Sequence, residues 1–146
     1  MDVCDNVENK ATENSIVDNQ EVVWYDARKV PFSLHGFHEP KTEPTFRRVP
    51  KEVADATSEG VSGLGGMSAG GRVRFSTNSP YVAIRSKQPS VGRSTFETMI
   101  ETAGFDLYID GEFGSKCIGE FRIPDDMTDG YVALVYFGEF KERYIT

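Results

Sequence analysis

A serine flanked by glycines is the first feature of this sequence that could do chemistry. Residues 66–70 read Gly-Met-Ser-Ala-Gly, which fits the Gly-x-Ser-x-Gly pattern of a nucleophile centred on Ser68. That pattern needs a strand-to-helix turn, with an acid and then a histidine later in the chain. Here a strand-like segment follows, and both histidines, His35 and His38, come earlier. We therefore expect Ser68 to be a loop serine and this chain alone to be non-catalytic.

Metal chemistry has little support in the residue spacing. His35 and His38 are spaced His-x-x-His, but the prolines and glycine around them argue against the helix that a shared metal would need. The acidic turns that begin at Asp106 and Asp125 lack oxygen ligands where a calcium-binding EF-hand loop requires them. We predict no metal site and no cofactor, and a structural calcium ion in a loop stays an open alternative.

Aromatic side chains offer a third kind of chemistry, the stacking of flat rings on sugars. Large aromatic residues more often complete a core, since each buries a large area. The sequence leaves both roles open, with packing the commoner outcome. The aromatic residues considered are Trp24, Tyr25, Tyr81 and Tyr108.

The elements that would position these residues are mainly strands. Alternating apolar and polar residues are separated by turn sequences such as STNSP, Asp-Gly and PDDMTDG, and this pattern is strongest from residue 72 onward. Residues 51–59 predict one or two helical turns, and the glycine-rich residues 60–71 predict a loop or bulges. Many short strands with little helix predict an all-β domain, an antiparallel β-sandwich of jelly-roll type.

Charge divides the 146-residue chain into an arm and a body. Residues 1–21 hold six acidic side chains and one lysine, so they carry −5 of the net charge of −7. We predict a disordered acidic arm over residues 1–21 and a β-sandwich accessory domain over residues 22–146. The near-neutral body has no basic stripe, which argues against a nucleic-acid partner. No apolar run is long enough for a membrane span.

The N-terminal residues bear on the cellular location of the protein, and the two cysteines bear on its redox state. The first residues lack the pattern of a secretion signal, so we expect a cytoplasmic protein or an exported one whose signal was removed. Cys4 and Cys117 do not make a disulfide framework, and both are predicted to be free thiols.

Residues 104–111, Gly-Phe-Asp-Leu-Tyr-Ile-Asp-Gly, give the clearest strand. The alternation places three apolar side chains on a core face and a phenol between two carboxylates on the other face. The core-facing residues are Phe105, Leu107 and Ile109, and the outward-facing residues are Asp106, Tyr108 and Asp110.

The outward face is the predicted interdomain or ligand face. We expect Asp106 and Tyr108 to meet Arg74 or Arg85 from neighbouring strands, since cross-strand pairs of opposite charge stabilise sheets. Trp24 is assigned to the same face. A solvated sheet surface with no function is the alternative.

The same strand carries a family resemblance. GFDLY at residues 104–108 matches the Gly-x-Asp-Leu-Tyr signature of a domain found at the N-terminus of SGNH-type (GDSL-like) esterases. Three more stretches resemble that domain in the same order, so that the likeness extends over about residues 22–145. They are WYDAR at residues 24–28, FRRVP at residues 46–50 and SAGGRVRFSTNSP at residues 68–80.

The resemblance implies a jelly-roll β-sandwich that precedes a separate catalytic domain of the same polypeptide. The Gly-Asp-Ser-like block and the Asp-x-x-His pair of such esterases are absent here, and the resemblance places Ser68 in a loop of the accessory domain. The expected strand after residue 146 is also missing, so we expect a domain shortened at its C-terminal end. An edge left unpaired there would allow dimerisation.

Three hypotheses follow. The first is a non-catalytic domain that docks on and supports the catalytic domain of an SGNH-type esterase, one that acts on acylated carbohydrate. The second is an independent carbohydrate-binding β-sandwich. The third is a small serine hydrolase that uses Ser68, since catalytic triads are defined by geometry rather than by chain order.

Overall fold

The computed structural model describes residues 11, 13–89, 95–96, 98–138 and 143–145. It divides into two compact units, one holding residues 25–75 and the other holding residues 13–24 with the chain from residue 76 onward. Most of the regular structure is strand, which confirms the all-β class, but the sheets are small and a jelly-roll sandwich is not confirmed. The strands are β1 (Glu13–Val17), β2 (Gln20–Trp24), β3 (Ser33–His35), β4 (Arg72–Thr77), β5 (Tyr81–Ser86), β6 (Phe105–Gly111), β7 (Gly114–Phe121), β8 (Tyr131–Tyr136) and β9 (Arg143–Ile145). The helices are α1 (Lys51–Thr57), α2 (Glu59–Gly65) and α3 (Met99–Ala103).

The second unit begins with a hairpin of β1 and β2, which pair in antiparallel register. Its two-residue loop is Asp18-Asn19, with φ of 48° and 63°. Asn and Asp tolerate this left-handed conformation, and two such residues in a row match the twist of the flanking strands. The loop therefore fixes the register of the hairpin.

The hairpin corrects the prediction of a disordered arm over residues 1–21. Residues 13–21 belong to β1, its turn and the start of β2, whereas residues 1–10 lie outside the described part of the chain. The correction has a physical reason, because Val22 and Trp24 are buried and β1 supplies polar partners for this face. An acidic composition alone did not reveal those partners.

The core of the second unit lies between two antiparallel strand pairs. β6 pairs with β7, and β5 pairs with β8. Gly119 of β7 packs against Val135 of β8 so closely that an added Cβ would lie 2.6 Å from a Val135 methyl carbon. Glycine is therefore required at residue 119 for this approach. Ile145 of β9, opposite Ile109 of β6, is almost fully buried.

The first unit is organised around Arg28 and a proline-rich segment. The Arg28 guanidinium donates to the carbonyl oxygens of Pro40 at 2.5 Å and Glu43 at 2.6 Å, and it lies 4.3 Å from the centroid of the Phe46 ring. These contacts satisfy carbonyls that the prolines leave without ladder partners. In the same unit β3 pairs with β4.

Helix α2 was missed, because residues 60–71 were predicted to be a loop or bulges. The Ser58 side chain accepts a hydrogen bond from the Val61 amide at 3.2 Å and caps the helix. Gly65 is buried, and an added Cβ would lie 3.4 Å from the Ala54 Cβ of α1. The glycines that lower helix propensity thus let two short helices pack closely. The helical turns predicted over residues 51–59 are confirmed by α1.

Candidate functional site

The signature strand β6 divides its side chains between a core and a surface. Leu107 is only 3% exposed, which confirms its predicted core position, whereas Phe105 is 43% exposed. Asp106 lies on the surface and Tyr108 is half-buried. The alternation of exposed and buried side chains along β6 is therefore clearest at Asp106 and Leu107.

A bulge in the β6–β7 ladder falls within the signature. Leu107 is opposite Gly119, but Tyr108 is opposite Cys117, so that Ile118 is the extra residue on β7. Bulges twist a strand and change the direction of the side chains that follow. The Tyr108 phenol and the exposed Cys117 thiol consequently stand opposite each other beside the bulge.

The outer face of β6 and β7, which we call the signature face, is acidic. Asp106 stands directly opposite Glu120, and the Asp110 carboxylate accepts a hydrogen bond from the Ser115 hydroxyl. The side chains of Asp106 and Glu120 form no hydrogen bond or ion pair with the described residues. Like charges placed directly opposite are unfavourable in a sheet. The signature residue Asp106 thus adds nothing evident to the stability of its own unit.

Arg85 and Trp24 form a separate cluster under the β1–β2 hairpin. Arg85 Nη1 donates to Glu13 Oε2 at 2.8 Å, and the guanidinium lies 4.4 Å from the centroid of the Trp24 ring. The Trp24 Nε1–H donates to the Ser15 hydroxyl at 2.6 Å. Because Trp24 is 8% exposed, its ring is used for packing and is not available to a ligand.

The predicted partnership of Arg85 with Asp106 is therefore replaced by an ion pair with Glu13. The hydrogen bond from Arg85 and the charge of its guanidinium lower the pKa of Glu13, and the same hydrogen bond with the charge of the Glu13 carboxylate raises the pKa of Arg85. Arg74 lies on β4 in the first unit, opposite Ser33. Of the five residues predicted for the interdomain or ligand face, Asp106 and Tyr108 are the two that lie on β6.

Ser68 lies on an exposed turn between α2 and β4, where its carbonyl accepts from the Gly71 amide at 2.8 Å. A helix-to-strand turn is the reverse of the order in a nucleophile elbow. The His35 ring nitrogen Nε2 lies 3.2 Å from the Ser33 hydroxyl, and the His38 amide donates to the Arg47 carbonyl. No hydrogen bond joins Ser68 to either histidine within the described residues.

The sequence reasoning missed an exposed aromatic pair. Tyr81 and Tyr136 stand opposite each other on β5 and β8, with ring centroids 6.5 Å apart and planes inclined by 24°. Tyr81 is among the aromatic residues that the sequence offers for sugar stacking, but Tyr136 is not. The alternation of exposed and buried residues along β8 is the signal that could have found it.

Metal-ligand clusters and membrane-spanning helices are absent from the described part of the chain. It holds no group of three or more His, Cys, Asp or Glu side chains that could bind a metal ion. Among the same residues, no helix is long and apolar enough to cross a bilayer.

The fold is that of a small, strand-rich domain whose signature strand places Leu107 in the core and Asp106 on the surface. Its sequence matches the GxDLY family, the N-terminus of Esterase_SGNH_hydro-type proteins, over residues 22–139. The match covers most of the chain, and the chain belongs to this family. No curated protein and no solved structure matches the chain significantly.

Proposed function

We propose that this domain is a non-catalytic N-terminal part of an SGNH-type esterase and docks on the catalytic domain of the same polypeptide through the signature face. Membership in a family that forms the N-terminus of such esterases supports the partnership. The observation that carries the docking role is the cross-strand pair of Asp106 and Glu120. Two like charges that face each other, and that form no ion pair with the described residues, gain most from a partner that brings cations.

The chemistry of the partner follows from this charge. A basic patch on the catalytic domain would convert an unfavourable pair into charge-assisted hydrogen bonds, which are about twice as strong as neutral ones. The half-buried Tyr108 phenol would supply apolar area and one hydroxyl beside the carboxylates. Such an interface weakens as salt concentration rises.

The parent enzyme would hydrolyse ester bonds, and we propose an acylated carbohydrate as its substrate. The exposed Tyr136 ring, stacked on the half-buried Tyr81 ring, supports a sugar as part of that substrate, because flat amphipathic rings suit the faces of sugar rings. Ser68 has no part in the reaction. This chain alone should hydrolyse 4-nitrophenyl acetate only at a background rate that Ser68→Ala does not change.

Docking can be tested with the two domains produced separately and mixed in a calorimetric titration. Asp106→Lys should reduce the affinity at least tenfold because it presents a cation to a basic patch. The variant also places Lys opposite Glu120, and this pairing of opposite charges stabilises the sheet. A loss of binding would therefore not result from unfolding of the domain. Glu112→Lys, in the exposed β6–β7 turn, is the matched control for net charge. Equal affinity for all three proteins would refute docking through this face.

A further inference from the structure

A groove of about 490 Å³ lies in the second unit, beside the β7 residues Gly119 and Glu120 that stand opposite the signature strand. Its floor is β8, from which Val132 and Tyr136 reach the surface. One wall is the chain from Gly119 to Pro124, and the β1–β2 turn contributes Asp18 to the rim. The groove is open to solvent along one side, so a chain-like ligand could lie in it.

An aromatic platform stands at one end of the groove. Tyr136 is 65% exposed, whereas Tyr131, Ala133 and Val135 of the same strand are buried. Tyr81 stacks beside it, and the Tyr81 hydroxyl donates to the Glu21 carbonyl at 2.7 Å. This hydrogen bond anchors the Tyr81 ring beside the Tyr136 ring. A rigid, exposed aromatic ring costs little conformational entropy when a flat ligand stacks on it.

Three ionic side chains complete the lining, namely Asp18, Glu120 and Arg122. None of them forms a hydrogen bond or ion pair with the described residues, so their hydrogen-bonding groups are available. Carboxylates accept from hydroxyl groups and a guanidinium donates to ring and hydroxyl oxygens. The apolar floor suits the C–H face of a pyranose, which turns its hydroxyls toward the rim.

We propose that this groove binds a neutral oligosaccharide, with one sugar ring stacked on Tyr136 and its hydroxyls bonded to Asp18 and Arg122. Asp18 balances the charge of Arg122, so the rim has no excess positive charge to attract a phosphate or a uronic acid, which fixes the ligand as neutral. The inference deepens the proposed function, since it rests on a carbohydrate ester as the substrate of the parent enzyme. The groove would hold the sugar chain while the separate catalytic domain cleaves the ester.

The test measures sugar binding to this chain alone by isothermal titration calorimetry. The probes are cellohexaose, xylohexaose and, as the charged comparison, hexagalacturonate. Binding of a neutral probe is expected, with at least a tenfold loss in Tyr136→Ala and near-full retention in Tyr136→Phe, because stacking does not need the hydroxyl. Phe113→Ala is the matched control, since Phe113 is 98% exposed on the β6–β7 turn. Circular dichroism verifies that each variant is folded.

Three results would overturn the proposal: no binding of either neutral probe at millimolar concentration, binding that Tyr136→Ala leaves unchanged, or a preference for hexagalacturonate. None of them bears on docking, because the catalytic domain is absent from the experiment. If docking failed, the result of the sugar titration would be unaffected, because that titration uses this chain alone. The two claims therefore fail separately.

Discussion

Asp106 of β6 and Glu120 of β7 stand directly opposite each other, so the signature strand carries a like-charge pair on its outer face. In the isolated domain this arrangement is unfavourable, by an amount on the order of the 0.2–1 kcal/mol typical of cross-strand charge pairs. The proposed docking on a catalytic domain would offset this cost, because a basic partner would neutralise both carboxylates.

The first prediction concerns this pair. Glu120→Lys should raise the free energy of unfolding of this chain by about 0.2–1 kcal/mol, because a repulsive pair becomes an attractive one. Urea denaturation followed by circular dichroism measures the change. Glu112→Lys, which makes the same charge change in the turn, should have a smaller effect. A clear loss of stability in Glu120→Lys would show that Glu120 has a structural partner.

The second prediction concerns the core face of the signature. Leu107→Ala should lower the free energy of unfolding by about 2–5 kcal/mol, through lost burial and the cavity left behind. Val132→Ala is the control, because Val132 is 42% exposed and its truncation removes little buried area. Equal, small losses in both variants would place Leu107 outside the core.

The third prediction concerns the hairpin that replaces the expected arm. The folded-state pKa of Glu13 is lowered by its hydrogen bond to Arg85, so the contribution of this pair is present above the unfolded pKa and is lost as pH falls through the folded pKa. Glu13→Gln should therefore reduce the pH dependence of the free energy of unfolding below pH 4.5, the ordinary pKa of a glutamate. Asn14→Asp on the opposite face of β1 should leave the Glu13 contribution in place. Parallel acid limbs for Glu13→Gln and the unmodified chain would mean that the ion pair does not hold β1.

The fourth prediction concerns alkaline pH. Burial raises the pKa of Tyr131 to about 12, from an ordinary value of 10.0. Because the raised pKa belongs to the folded state, the stabilising contribution is full below pH 10 and is lost as pH rises through about 12. Tyr131→Phe should weaken this decline, since it removes the ionising group, while Tyr136→Phe at an exposed position should not. Identical pH profiles for the two variants would show that Tyr131 is not buried as a neutral phenol.

The sequence predicted the strands well where alternation and turn residues agreed, as at β6 with its terminal Asp-Gly. It failed where a weak local signal is outweighed by tertiary contacts. Glu13 and Ser15 looked like part of a solvated arm, yet they pair with Arg85 and bond to Trp24. No one-dimensional pattern places residues so far apart in the chain next to each other.

The candidate site was predictable in part for the same reason. The signature fixed Asp106 and Tyr108 on the face opposite Leu107, because period-two alternation is a local property. The opposing residue Glu120 depends on the register of β7, which the bulge at Ile118 shifts. Pairing register after a bulge cannot be counted from the turn alone.

The most direct test of docking is differential scanning calorimetry of the polypeptide that joins this domain to its catalytic domain. If the signature face is the interface, the two domains should unfold in one coupled transition at low salt. Asp106→Lys should separate that transition into two while leaving the isolated domain at least as stable as before. Coupled unfolding that persists in Asp106→Lys, or two independent transitions in the unmodified polypeptide, would contradict the account.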